Sequence, residues 1–291
     1  MKHRRALAVQ LDSMLVERLR GQTPVLTAEL RPPRAELDAA EGMDAWIDTY
    51  HAIRRLSRQQ VPVFLTDSAV GTQEENNLRH LIANLGRELP HEMVVPFLTS
   101  KHSLDFCLSY ATQARQHGFR SLVVLGGDKT VGRLRCVEHA WDLRHEIRKK
   151  EPDLILGGWA NPHAAAGQQV DFLLDERFCA EFYLTQVVSH VDLDPVKRFL
   201  AEIHRRAVPL PGMFCVFYYR SANPKTLQTL SSFMPVPIQK LIDEFATGAN
   251  ATEVCARTIR ALRAEGVRHI CICNLPMHDA SGVLAAVTAR L

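Results

Sequence analysis

The chain has 291 residues, 46% hydrophobic and 23% charged, and its 35 basic side chains nearly balance 32 acidic ones, leaving a formal charge of +3. Charges this mixed exclude the strong basic field of a nucleic-acid binder, and no stretch is apolar for long enough to cross a membrane as a helix. Seven scattered cysteines with no CxxC pair point to reduced thiols and a cytoplasmic protein, not to a disulfide framework.

Residues 1–22 begin basic but lack the apolar core of a signal peptide. Leu7, Val9, Leu11, Met14, Leu15 and Leu19 fit an amphipathic helix that packs on the rest of the domain. Pro24 to Glu29 then reads as a short strand ending on a carboxylate, because Arg31-Pro32-Pro33 blocks a helical continuation. A helix is predicted over about 41–59, a strand over Val61 to Leu65 ending at Thr66-Asp67-Ser68, and a helix over about 73–86. The third strand, Met93 to Leu98, ends at Thr99-Ser100 and leads through a helix to Gly118, a natural helix stop.

The fourth strand is the most telling. Leu122 to Leu125 is too short an apolar run for a helix and suits a strand buried on both faces. Gly126 and Gly127 end it, letting the backbone turn and a ligand approach, and Asp128 stands where the strand opens into its loop. A helix holding Trp141, Leu143 and Ile147 comes next. The fifth strand, Leu154 to Gly158, ends in Trp159-Ala160-Asn161-Pro162-His163, and the sixth, Glu181 to Val188, carries Thr185-Gln186 near its end. Met213 to Tyr219 and Val267 to Cys273 are the seventh and eighth strands, the last ending at Asn274. A long helical region, broken near Pro235-Val236-Pro237 and Gly248, lies between them, and a short helix closes the chain. Cys271 and Cys273 alternate onto one face of the eighth strand. As two thiols without nearby partners they read as core, and no metal site is expected.

Eight strands alternating with helices, at spacings on the order of 25–35 residues, match a (β/α)8 barrel of about 250 residues. The α/β reading is therefore one TIM-barrel domain over residues 1–291, with no GxGxxG loop to support a doubly wound sheet instead. In such a barrel the carboxyl ends of the strands meet at one mouth, gathering Glu29, Thr66, Asp67, Thr99, Asp128, Asn161, His163, Gln186 and Asn274. Carboxylates and amides with few cations suit a polar heterocycle whose ring N–H groups need acceptors, and a carboxylic acid that donates a proton.

Several of these stretches, in this order, resemble the methylenetetrahydrofolate reductase family over roughly residues 24–291. TAELRPPR looks like the family's first strand, PFLTS its His-Leu-Thr strand, and VVLGGD its Arg-Gly-Asp strand end. YLTQ matches its Thr-Gln pair, LPG the Pro-Gly before its seventh strand, and EGVRHICICNL its last helix-to-strand step. The resemblance is to the short form without a C-terminal regulatory extension, and so implies no feedback control through one. It implies that NADH or NADPH reduces 5,10-methylenetetrahydrofolate to 5-methyltetrahydrofolate through FAD. Glu29 would be the general acid that opens the methylene bridge, Asp128 would bind the pterin and stabilise the iminium ion, and Gln186 and Asn274 would add substrate contacts. Thr66, Asp67, Thr99, Gly126, Gly127, Asp128, Trp159 and His163 would contact the cofactor. Barrels of this family commonly self-associate, so a homo-oligomer is an expected partner state.

Departures fall mostly on the flavin side. The family's His before Leu-Thr is Phe97, its Arg before Gly-Asp is Gly126, and its Tyr-Pro-Glu is Trp159-Ala160-Asn161. Its basic run becomes Leu173-Leu174-Asp175-Glu176-Arg177, which removes expected partners of the flavin pyrophosphate. Lys129, Arg133, Arg135 and His163 are the candidate substitutes, and Trp159 could stack on the flavin ring. Two further readings stay open: hydride transfer without flavin, and a catalytically silent folate-binding barrel that serves as a partner subunit. An unrelated barrel enzyme with similar strand ends is a third.

Overall fold

A computed structural model describes residues 15–33, 37–67, 91–129 and 131–291. The helix predicted over 73–86, Ser68 and most of the N-terminal helix lie outside them. Eight parallel strands close into a barrel in sequence order. They are β1 (Leu26–Leu30), β2 (Val63–Leu65), β3 (Val94–Thr99), β4 (Ser121–Leu125), β5 (Ile155–Ala160), β6 (Phe182–Thr185), β7 (Gly212–Phe217) and β8 (His269–Cys273). The α/β barrel expected from the strand spacing is therefore the fold. Pairing of Leu26 with Ile270 and of Thr27 with Cys271 closes the ring.

The described helices are α1 (Leu15–Arg20), α2 (Ala39–Arg58), α3 (Leu104–Gln116), α4 (Ala140–Lys150), α5 (Ala166–Leu174) and α6 (Asp194–Arg205). They continue with α7 (Pro224–Ser231), α8 (Ile238–Ala246), α9 (Ala251–Ala264) and α10 (Ala280–Thr288). Caps mark their starts: Asp38 accepts from the Ala40 and Glu41 N–H groups of α2, and Asn250 forms a reciprocal capping box with Glu253 of α9. The region between β7 and β8 divides into α7, α8 and α9, with breaks at the Pro235-Val236-Pro237 and Gly248 sites where the chain cannot continue a helix. Helix α5 lies in a stretch where the sequence predicts no helix. It opens at Ala166, without a side-chain cap to announce it.

Strand alternation sorts the core into two layers. Ala28, Val63, Val94, Leu122, Leu156, Phe214 and Ile272 face outward and pack with the helices. Phe64, Val95, Val123, Phe182, Met213, Cys215 and Cys271 fill the interior. Gly157 makes room there, since a Cβ would stand 2.6 Å from Phe182 Cζ. Leu15, Val16 and Leu19 of α1 join the interior cluster beside Val25, so the helix plugs the amino-terminal floor of the barrel. Each such aliphatic side chain contributes roughly 1.5–3 kcal/mol on burial. Arg18 of α1 donates to the Gln60 carbonyl at 2.9 Å and pins the plug at its edge. With the floor sealed, the mouth at the strand carboxyl ends is left for ligands.

Candidate functional site

A cavity of about 580 Å³ opens over the ends of β4, β5 and β6, a volume in the range that encloses one small ligand. Gly126, Gly127 and Asp128 form one side, Gln186 and Trp159 another, and Trp141, Phe172, Phe178 and Phe233 complete an aromatic wall. Gly127 has φ of +72°, a left-handed conformation that costs glycine little. Gly126 has a different reason to lack a side chain: a Cβ there would sit 2.7 Å from Arg135 Cζ. The Arg135 guanidinium lies across the strand end and donates to the Gly127 carbonyl. Asp128 turns the loop by accepting from the Val131 N–H at 2.9 Å, while its charge opposes the burial that lowers the pKa of Arg135.

Gln186 stands just past the end of β6, and its Oε1 accepts from the Val187 N–H at 2.9 Å. That bond turns the NH2 end out as a donor. Asp128 and Gln186, which the family resemblance assigns to one ligand, thus line one cavity although 58 residues of chain separate them.

Arg144 is a floor residue that the sequence does not announce. Only 3% exposed, it donates from Nε to the Phe178 carbonyl at 2.7 Å and from Nη1 to the Val124 carbonyl at 2.9 Å. Its guanidinium carbon lies 4.7 Å from the Phe178 ring centroid. Burial brings its pKa down to about 10, with Cys179, Glu181 and Asp142 acting against the fall. Gly158 admits Phe178 to this stack, because a Cβ would meet Phe178 Cζ at 2.3 Å. Trp141, Phe172 and Phe233 are likewise absent from the sequence-derived site. Their only local signal is apolar character, and Phe172 and Phe233 remain 37% and 60% exposed, more than core packing explains.

Other predicted residues stand elsewhere. Asp67 accepts from the Thr99 backbone N–H at 2.7 Å and its hydroxyl at 2.9 Å, and pairs with His102 at 2.9 Å. Asp67 and Thr99 thereby clasp the ends of β2 and β3, with Thr66 N–H bound to the Leu30 carbonyl alongside. His163 contacts the Val187 carbonyl at 2.8 Å and lines a separate cavity of about 240 Å³. Asn161 accepts from the His163 N–H. Asn274 donates to the Tyr218 carbonyl at 3.1 Å, with its own backbone in the left-handed region at φ of +66°. None of these side chains lines the large cavity.

Glu29 lies on β1 and, like these, does not line the large cavity. It is partly open at the mouth and enclosed by barrel side chains below, and burial together with the nearby Cys271 pushes its carboxyl up to about 8. Cys273 donates to Glu29 Oε2 at 3.1 Å. A carboxyl that stays protonated near neutrality is what a general acid requires.

The reading of Cys271 and Cys273 as thiols without partners is corrected here. Cys215 is in register with Cys271 across β7 and β8, and β1 brings Glu29 alongside. One donor atom from each of Glu29, Cys215, Cys271 and Cys273 falls within 4.8 Å of the others. No spacing rule along the chain reveals this group, because barrel closure assembles it.

A flavin dinucleotide needs cations for its pyrophosphate. Arg144 gives its guanidinium to backbone carbonyls, and Arg135 does so through Nη1 and Nη2 while its buried Nε has no partner among the described residues; Arg177 is paired with Asp175 at 2.6 Å. The Lys101 ammonium is held by the Val131 and Arg133 carbonyls. Among the described residues lining the large cavity, Lys129 is a cation with no hydrogen bond to a described partner. Bonds to neutral carbonyls commit donors but leave the charge in place, so Lys129 and the Arg135 Nε are what the cavity offers an anion, and aromatic walls with a few polar groups suit a planar heterocycle.

No family model matches the chain, and no curated protein sequence does. Solved structures do. An uncharacterized protein from Clostridium thermocellum that binds two copies of 5-methyl-5,6,7,8-tetrahydrofolic acid superposes with a TM-score of 0.63 at 15% identity, over 95% of this chain and 97% of that one. At that identity the likeness establishes a shared TIM-barrel fold over nearly the full length of both chains.

Proposed function

We propose that this barrel binds a reduced folate at its mouth and reduces 5,10-methylenetetrahydrofolate to 5-methyltetrahydrofolate with hydride from NADH or NADPH. The observation that carries the reading is the meeting of Asp128 and Gln186 in one aromatic-walled cavity. The folate bound by a structural neighbour of the same fold adds support for the ligand class. No helix among the described residues is long and apolar enough to cross a membrane. All seven cysteines are free thiols, which suits a reaction in the reducing cytoplasm.

The pterin lies against Asp128 and Gln186, whose carboxylate and amide NH2 complement its ring donors and acceptors. Glu29 gives its proton to the folate nitrogen that leaves as the methylene bridge opens, and the other nitrogen keeps the carbon as an iminium ion. Fixed carboxylate charge from Asp128 stabilises that cation. Hydride from the dihydronicotinamide adds to the iminium carbon, giving the methyl group and oxidised nucleotide, and solvent returns a proton to Glu29.

Titrating the purified protein with 5-methyltetrahydrofolate while following Trp141 and Trp159 fluorescence tests binding, and Asp128→Asn should weaken it. Anaerobic NADH or NADPH oxidation that depends on methylenetetrahydrofolate tests turnover, and the visible spectrum before and after adding FAD tests the relay. Folate binding without turnover by any reductant would leave a folate-binding partner subunit, a second reading that the neighbour's folate complex also favours. Failure of folate to bind at all would overturn both.

A further inference from the structure

The proposed reduction leaves the three thiols beneath Glu29 unused. Cys215, Cys271 and Cys273 are 1%, 0% and 4% exposed, and with a Glu29 oxygen they form a group whose donor atoms all lie within 4.8 Å of one another. Zinc bonded to sulfur at about 2.3 Å in a tetrahedron holds its sulfurs about 3.8 Å apart, so closing the shell needs movements of roughly 1 Å. Packing explains one buried cysteine readily. Barrel layers are ordinarily built from branched aliphatic side chains, so three sulfurs from two adjacent strands converging on a carboxylate from a third need another explanation. Thiolates with one carboxylate suit a zinc-class cation, while calcium and magnesium demand oxygen shells. Glu29 is the one member of the group that is partly exposed.

We propose that Glu29, Cys215, Cys271 and Cys273 form a binding site for one zinc-class divalent cation, and that the bound cation removes Glu29 from proton transfer. Ligation forms three S–metal bonds and one O–metal bond as the thiol and Glu29 protons leave to solvent, with no change of oxidation state. The cation site goes beyond the folate reading. Only its consequence, a loaded protein that binds folate without turnover, rests on that reading.

The test uses the full chain, reduced with a phosphine and kept anaerobic, titrated with Co²⁺ and then Zn²⁺. One Co²⁺ per chain is expected, with tetrahedral d–d bands and sulfur-to-metal charge transfer, displaced by Zn²⁺. X-ray absorption of the zinc form should show about three sulfurs at about 2.3 Å. Cys271→Ser should weaken binding at least tenfold, since even outer-shell changes cost about that much. Cys255→Ser, a buried thiol of α9 outside the group, should change nothing. No stoichiometric uptake by the unmodified chain, a shell without sulfur, or unchanged affinity in folded Cys271→Ser would overturn the site. If that variant does not fold, the absorption spectrum of the unmodified chain decides. Folate titration of the metal-free protein runs separately, so either proposal can fail alone.

Discussion

The two sides of the barrel mouth are built on opposite principles. Over β4, β5 and β6 the wall is wide and aromatic, and its arginines are tied to backbone carbonyls, as Arg144 is to Val124 and Phe178. Over β7, β8 and β1 the side chains are small and ionisable, with Cys215, Cys271, Cys273 and Glu29 drawn together. Aromatic surface offers area and orientation to a flat ligand without changing its protonation. The thiol and carboxyl side governs protons, because burial there acts directly on which groups are charged. Burial raises Cys107, a thiol outside the mouth, to a value far above its ordinary one. Cys271 moves the other way: burial opposes its ionisation, but its thiol neighbours Cys215 and Cys273 bring its pKa well down. The proposed reduction would use the first wall to recognise the pterin and the second to supply its proton.

Substituting one residue on each side separates the two walls by the largest effects. Glu29→Gln should lower turnover by about 10²–10⁴-fold, the range for a general acid, and leave folate affinity within about twofold, since the amide keeps the shape. A comparable loss of affinity would put Glu29 among the binding groups. Asp128→Asn should do the reverse first, costing about 1.5–3 kcal/mol of folate binding if the carboxylate accepts from the pterin. Equilibrium titration reads this directly, and unchanged affinity would remove Asp128 from the site.

Gly158→Ala sharpens the account of the aromatic wall. Its Cβ would press on Phe178 at 2.3 Å, and overpacking of this kind costs about 1–3 kcal/mol. Denaturant unfolding should show the loss, together with weaker folate binding as Phe178 and Arg144 shift. An alanine variant of normal stability would mean that the stack yields easily.

The pH dependence of stability probes the other wall with the smallest effect. Glu29 is raised from 4.5 to about 8 in the folded chain. Below about pH 4.5 both states hold the proton. As pH rises toward 8 the unfolded state alone releases it, so the folded state loses stability across that window and keeps the deficit above it. Metal-free Glu29→Gln lacks this slope. Its melting temperature should therefore gain on the unmodified protein by a few degrees between pH 5 and pH 9, after discount for the water that reaches the mouth. Parallel curves would mean that Glu29 titrates as an ordinary carboxyl.

The eight strands, their alternation with helices and the strand-end positions of Glu29, Asp128 and Gln186 were legible in the sequence. Apolar runs, glycine stops and proline breaks are local signals, and each acts over a few residues. Helix α5 is short, Ala166 to Leu174, and Ala165 offers no capping side chain, so few local signals mark it. Sequence also marked which residues stand at a mouth, without marking who meets whom. Asp67 and Thr99 turned to each other instead of to the cavity, and Phe172 and Phe233 reached the wall from outside the strands. The partnership of Cys215 and Glu29 with Cys271 and Cys273 needed the closure of β8 on β1 and the register of β7 on β8. A strand's own period of two says which side chains share a face, while the neighbours across that face depend on how the ring closes, a property of all eight strands together.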